Sequence, residues 1–76
     1  MSPPIEVRLG QAIARFRKDA GFSQEAFADF VGVHRTYMGT IERGEKNIGI
    51  RSVEKIAKAL KMSAGDLLNQ ADRKPR

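Results

Sequence analysis

The sequence predicts an all-α fold: five short helices in one domain, with no strand. Apolar residues recur at three- and four-residue spacing through successive segments, as one face of a helix requires. Glycines punctuate those segments at 21, 32, 44 and 49. Nowhere do apolar and polar residues alternate with the period of two that a half-buried strand needs. The 76 residues allow one domain. A chain near this size buries only about 60% of its unfolded surface. It contains no Cys, so no disulfide or thiolate metal site staples it. Stability then rests on well-patterned helices, with dimerisation as a further source.

Ser2-Pro3-Pro4 suits a helix start, because the first N–H groups of a helix lack intrahelical partners. Ile5, Leu9, Ala12, Ile13, Phe16 and Ala20 form one apolar stripe, with Arg8, Gln11, Arg15 and Lys18 outside it. Gly21 ends this first helix. Ser23 caps the second, and Glu25 in its first turn favours the positive end of the helix dipole. Phe27, Ala28 and Val31 make its inner face, while Phe30 lies off that stripe. Gly32 stops it, and Val33 turns back towards the core.

The third helix is expected over His34 to Arg43 and ends at Gly44. After a loop through Glu45 and Asn47, the fourth covers Ile50 to Leu60 with Gly49 as N-cap. Its inner stripe is Val53, Ile56, Ala57 and Leu60. Ser63-Ala64-Gly65-Asp66 resembles a capping box, with Asp in the place of Glu. It opens a fifth helix through Leu67 and Leu68. The domain therefore spans residues 1–68, and 69–76 form a flexible basic tail.

Net charge is +5, which favours polyanionic partners only weakly. The tail from Asn69 carries +2 of it and residues 1–68 carry +3, so the placement of charge matters more than its sum. No apolar run approaches the roughly 20 residues of a membrane span, and MSPPIEVR lacks the apolar region of a signal peptide. A cytoplasmic protein with no membrane partner is the expectation. His34 is the only histidine and builds no metal site unaided. Nothing pairs a nucleophile with a base, and no glycine-rich loop cradles a phosphate. Hence no catalytic residue, cofactor or metal is expected, and the chain is not an enzyme.

The organising stretch is Ser23 to Asn47, two short helices joined at Gly32. At about 100° per residue, Met38 and Ile41 share one side of the third helix. Arg35, Thr36, Gly39 and Thr40 point roughly the other way. A helix with an apolar back and a front of Arg, Thr and Gly suits a DNA groove.

Residues 5–68 resemble the lambda-repressor-like helix-turn-helix regulators, often called the Xre family. Gln24, Ala28, Gly32, Met38 and Ile41 stand at the spacing of that family's motif. A small Ala28 suits a close helix crossing, Gly32 a turn with positive φ, and Met38 and Ile41 an anchor behind the reading helix. His34 to Ile56, HRTYMGTIERGEKNIGIRSVEKI, is most similar to the controller proteins of bacterial restriction–modification operons. The likeness lies in Arg-Thr-Tyr, Ile-Glu-Arg and Asn47. The chain departs after Arg43, where controllers vary, and its C-terminal end is short.

The resemblance implies a compact five-helix domain that sets its third helix in the major groove of double-stranded DNA. Arg35 would read a guanine edge. Thr36, Thr40 and Lys46 would reach bases. Gln24, Tyr37, Arg43, Asn47 and Arg51 would hold phosphates. Arg17 and Glu42 fall where the family has an ion pair tying the first helix to the third. Three readings stay double. Gly39 is either a close-approach residue or a tolerated small one. Tyr37 is either a phosphate contact or a half-buried aromatic. Each lone charge is either a DNA contact or ordinary solvated surface. His34 is read as a helix-start residue.

One such helix reads only a few base pairs. The resemblance accordingly implies a homodimer on a palindromic operator, in a prokaryote or phage, with the protein on the nucleoid when bound. Ile50, Met62, Ala64, Leu67 and Leu68 are the candidates for the dimer surface, less those that fill the core. Contact with RNA polymerase is left open. The alternative is an antitoxin or adaptor that uses the same fold to bind protein.

Overall fold

The computed structural model describes residues 3–72. Five helices follow one another: α1 (Ile5–Asp19), α2 (Gln24–Val31), α3 (Arg35–Glu42), α4 (Ile50–Ala59) and α5 (Ala64–Asp72). No strand occurs among the described residues. The expected order and number of elements hold, and most boundaries agree to within one residue.

Pro4 occupies the N-cap of α1, and its carbonyl accepts from the N–H groups of Val7 and Arg8 at 3.0 and 3.1 Å. The expected Ser2 cap lies outside the described residues. The end of α1 is closed by two reversed bonds, from Gly21 N–H to Lys18 and from Phe22 N–H to Arg17. This Schellman arrangement satisfies carbonyls that the helix leaves open. The same pattern closes α3 and α4. In α4 the left-handed residue is Lys61, at φ 61°, a position at which the sequence offers no glycine to announce it. Gly32, at φ 90°, makes the sharp exit from α2.

α1 crosses α3 and lies along α5, while α4 closes the far side against α5 and α2. Leu9, Ile13, Phe27, Ala28, Met38, Ile41, Val53, Ile56, Ala57, Leu67 and Ala71 form one buried cluster. Ile13, Phe27, Met38, Ile56 and Leu67 are fully enclosed. The α1 stripe fades at both ends: Ile5 is 38% exposed, and Ala20, beyond the last helical turn, is exposed.

Gly10 sits in the middle of α1, where a glycine ordinarily weakens a helix by roughly 1 kcal/mol relative to Ala. Its position explains it. A Cβ there would collide with the carbonyl of Ile41 and lie 2.7 Å from that of Glu42. The two backbones approach so closely that only hydrogen fits between them. Gly44 repeats the device one turn away, against the backbone of Val7.

Two expectations need correction. The tail was expected to begin at residue 69, yet α5 continues to Asp72 because Ala71 is buried in the core and Arg8 donates to its carbonyl at 3.2 Å. Residues 73–76, the rest of the expected tail, lie outside the described residues. At the start of α5, Ser63 Oγ accepts from the Asp66 N–H at 3.0 Å. Only this half of the capping box forms, since Asp is one methylene shorter than the Glu that normally reaches back.

Candidate nucleic-acid interface

α3 is eight residues long and divided as its periodicity demands. Met38 is fully buried and Ile41 is 2% exposed, while Arg35 and Thr36 are exposed and Thr40 is half-buried. His34 is the N-cap in extended conformation, and its Nδ1 accepts from the Thr36 N–H at 3.1 Å. The Thr40 hydroxyl donates to the Thr36 carbonyl at 2.8 Å, which leaves its oxygen lone pairs able to accept.

The C-terminal end of α3 is anchored through charge. Arg17 Nε donates to Glu42 Oε2 at 2.7 Å, and Arg17 Nη2 to Oε1 at 3.0 Å. The side chains are 9% and 7% exposed. Arg17 Nη1 also donates to the Phe22 carbonyl at 2.9 Å, so the pair joins α1, α3 and the turn before α2. A bidentate guanidinium–carboxylate pair fixes orientation as well as distance.

Gln24 completes this cluster. Its Nε2 donates to Glu42 Oε1 at 3.1 Å. Because a carboxylate only accepts, the amide nitrogen faces inward and the carbonyl oxygen faces α3. One of the two N–H donors of this amide is therefore taken by Glu42 in this structure. Gly39 was expected on the open front of α3. It is instead buried, because a Cβ at Gly39 would meet Arg43 Nη1 at 3.1 Å and Gln24 Oε1 at 3.3 Å. Gln24 and Arg43 cover it.

Of Tyr37's two readings, the packed one describes this structure. The ring is half-buried against the core, and the hydroxyl donates to Ser52 Oγ at 3.3 Å. Arg35 is exposed and pairs with Glu25 at 3.3 Å. Arg43 pairs with Glu45 at 3.0 Å. That hydrogen bond and the carboxylate's charge raise the Arg43 pKa further, outweighing a small opposing effect of burial. Lys46, Asn47 and Arg51 are exposed, and among the described residues the two cations have no ion-pair partner. The cations Arg35, Arg43, Lys46 and Arg51 are thus exposed on α3, the loop after it and the start of α4.

The dimer candidates separate by burial. Leu67 is fully buried within its own chain and has no surface to give a second copy, which corrects its inclusion. Met62, Ala64 and Leu68 are half-buried, and Ile50 is 70% exposed. Ile5, Ile48, Ile50 and Leu68 line a groove of about 310 Å³ between α1, α4 and α5.

Sequence reasoning missed Gly10, the Phe22 carbonyl and Gln24's inward bond. Gly10 carried a signal, a helix-weakening residue inside a strong amphipathic pattern. A backbone carbonyl and an amide orientation carry none.

A short, exposed helix of Arg and Thr, rigidly seated and flanked by cations, defines a DNA-binding helix-turn-helix protein. The chain belongs to the helix-turn-helix family HTH_3, which matches residues 13–67. The control protein C.BamHI of Bacillus amyloliquefaciens is 39% identical over 70 residues, covering 91% of this chain and 86% of its own. The restriction–modification controller protein C.AhdI of Aeromonas hydrophila superposes with a TM-score of 0.76 at 36% identity, over 80% of this chain and 92% of that one. SinR, a master regulator for biofilm formation crystallised in complex with DNA, superposes with a TM-score of 0.74 at 36% identity, over 79% and 97%. This chain is a DNA-binding transcriptional regulator of the Xre-like class, similar to controller proteins.

Proposed function

We propose that the protein is a sequence-specific regulator that binds a palindromic operator as a homodimer, with α3 in the major groove, and controls a restriction–modification operon. The observation that carries this reading is the division of α3, with Met38 and Ile41 enclosed and Arg35 and Thr36 exposed. Arg35 reads a guanine, Thr36 and Thr40 contact neighbouring bases, and Lys46 reaches a base from the loop. Arg43, Asn47 and Arg51 grip phosphates, with Gln24 contributing through the start of α2. Tyr37 joins them once its hydroxyl leaves Ser52. Arg17 and Glu42 orient the helix and touch no DNA. The domain reaches into α5, and the protein acts on the nucleoid in the cytoplasm.

The dimer surface runs over Ile50, Met62, Ala64 and Leu68. The exposure of Ile50, at 70%, supports this assignment, as does the need for two half-sites to reach useful specificity. The controller role rests on likeness to C.BamHI and C.AhdI. On that resemblance alone, the protein would bind upstream of its own gene, activating at low occupancy and repressing at high.

A gel shift against the DNA upstream of its own gene tests the reading. Failure to bind that DNA, or any selected duplex at low salt, rules it out. Sedimentation of wild type and Ile50→Glu tests the dimer: the wild type is expected to be dimeric and the variant monomeric. A methyltransferase or endonuclease gene beside it is the genomic check on the controller role.

A further inference from the structure

We propose that His34 is a positioning residue for DNA recognition, its neutral Nδ1 holding the first turn of α3, so that protonating this one side chain weakens operator binding. The inference rests on the reading of α3 as the helix that meets bases.

The geometry is direct. His34 stands at φ −69° and ψ 143°, the extended conformation of an N-cap, and its Nδ1 accepts from the Thr36 N–H at 3.1 Å. Helix starts are normally capped by an oxygen of Ser, Thr, Asp or Asn, as Ser23 caps α2 and Ser63 caps α5. Only a neutral imidazole has a ring lone pair to offer. The cap matters more here than at most helices. α3 has eight residues and no acidic side chain in its first turn. Arg35 there places positive charge at the positive end of the dipole, which is unfavourable. The residues that the cap orients, Arg35 and Thr36, are the base readers.

Protonation acts twice in the same direction. It converts Nδ1 from acceptor to donor, so the Thr36 N–H loses its partner, and it adds a second cation at the positive helix end. Arg35 follows His34 directly in the chain, and its guanidinium is held by Glu25 of α2 at 3.3 Å. Among the described residues no carboxylate comes within 4.0 Å of the imidazole to favour its charged form. His34 is the only histidine and there is no cysteine. A His34 that instead met a phosphate through its charged form would tighten binding on acidification, so the sign of the pH dependence decides between the two roles.

The test is fluorescence anisotropy with a labelled operator duplex at fixed salt, at about pH 7 and 5.5, for the wild type, His34→Ala, His34→Asn and Arg35→Ala. The wild type is expected to bind about three- to tenfold more weakly at the lower pH. His34→Ala binds weakly at both values without pH dependence. His34→Asn, an oxygen cap that does not titrate, recovers most of the affinity lost in His34→Ala and is also pH-independent. General acid destabilisation would affect His34→Asn equally, so a pH dependence retained in that variant overturns the proposal. So does wild-type affinity that is unchanged or tighter at low pH, or a His34→Ala that matches the wild type at neutral pH. If Arg35→Ala keeps both affinity and base preference, the reading of α3 fails. If Arg35→Ala loses base preference while the His34 series is flat, only the cap proposal fails.

Discussion

The two ends of α3 are built in opposite ways. At the C-terminal end Ile41 is 2% exposed, the Glu42 side chain is 7% exposed, and the backbone lies against Gly10 of α1. At the N-terminal end Arg35 and Glu25 form a pair whose side chains are 66% and 68% exposed. Both ends carry an Arg–carboxylate contact, yet the two contacts differ in kind. Breaking a buried pair costs about 3–5 kcal/mol because the remaining charge has no water. An exposed pair contributes at most about 1 kcal/mol and is screened by salt. One end therefore sets where the helix points, and the other leaves its cation only weakly held.

Substitutions at the two ends should accordingly separate stability from recognition. The largest effect is expected for Arg17→Ala, which strands the Glu42 carboxylate and the Phe22 carbonyl. Denaturant unfolding should show a loss of about 3–5 kcal/mol, a large share of the roughly 5–15 kcal/mol that holds a domain together. Arg17→Lys should recover little, since an ammonium cannot make the bidentate contact. Unchanged thermal stability in Arg17→Ala would end the claim that this end is locked.

Gly10→Ala comes next, with a loss of about 1–3 kcal/mol or more from overpacking against α3. Gly65→Ala in α5 is its control, because the nearest atom to an added Cβ there is 3.8 Å away. A helix-favouring methyl at that position should be neutral or stabilising by up to about 1 kcal/mol. Equal effects at the two glycines would show that α1 and α3 do not meet as closely as described.

At the open end the readout moves from stability to binding. Arg35→Ala should cost about 1–3 kcal/mol at a single base position with an unchanged melting temperature. Arg51→Ala should weaken binding to all sequences alike and lower the salt slope by about one unit. Identical behaviour of these two variants would erase the division between readers and grippers. The smallest change is expected for Glu25→Gln, under about 1 kcal/mol of stability. A stability loss there as large as that of Arg17→Ala would remove the contrast between the ends altogether.

Much of this arrangement was legible in advance. Helix order, the turn at Gly32, and the burial of Met38, Ile41, Val53 and Ile56 follow from local rules of period and capping. The exposure of Arg35 and Thr36 was legible as well, since they lie on the side of α3 away from Met38. The inward turn of Gln24, the enclosure of Gly39 and the packing of Tyr37 against Ser52 were not. Each depends on which neighbour from another helix arrives within hydrogen-bond reach. Leu67 was ambiguous for a related reason. An apolar residue on an amphipathic helix must be covered, but periodicity does not say whether its own chain or a second copy covers it.

By itself the sequence determined the five helices, their apolar faces and the identity of the side chains on the outer face of α3. These are consequences of spacing along one chain, and they need no knowledge of what lies across the core. Only the tertiary structure decided how α3 is held. Gly10 and Glu42 are 32 residues apart in the chain, and their meeting turns a weak point in one helix into the seat of another. Arg17, Glu42 and Gln24 share one cluster because three elements converge there, and convergence is a property of packing that no stretch of sequence contains alone.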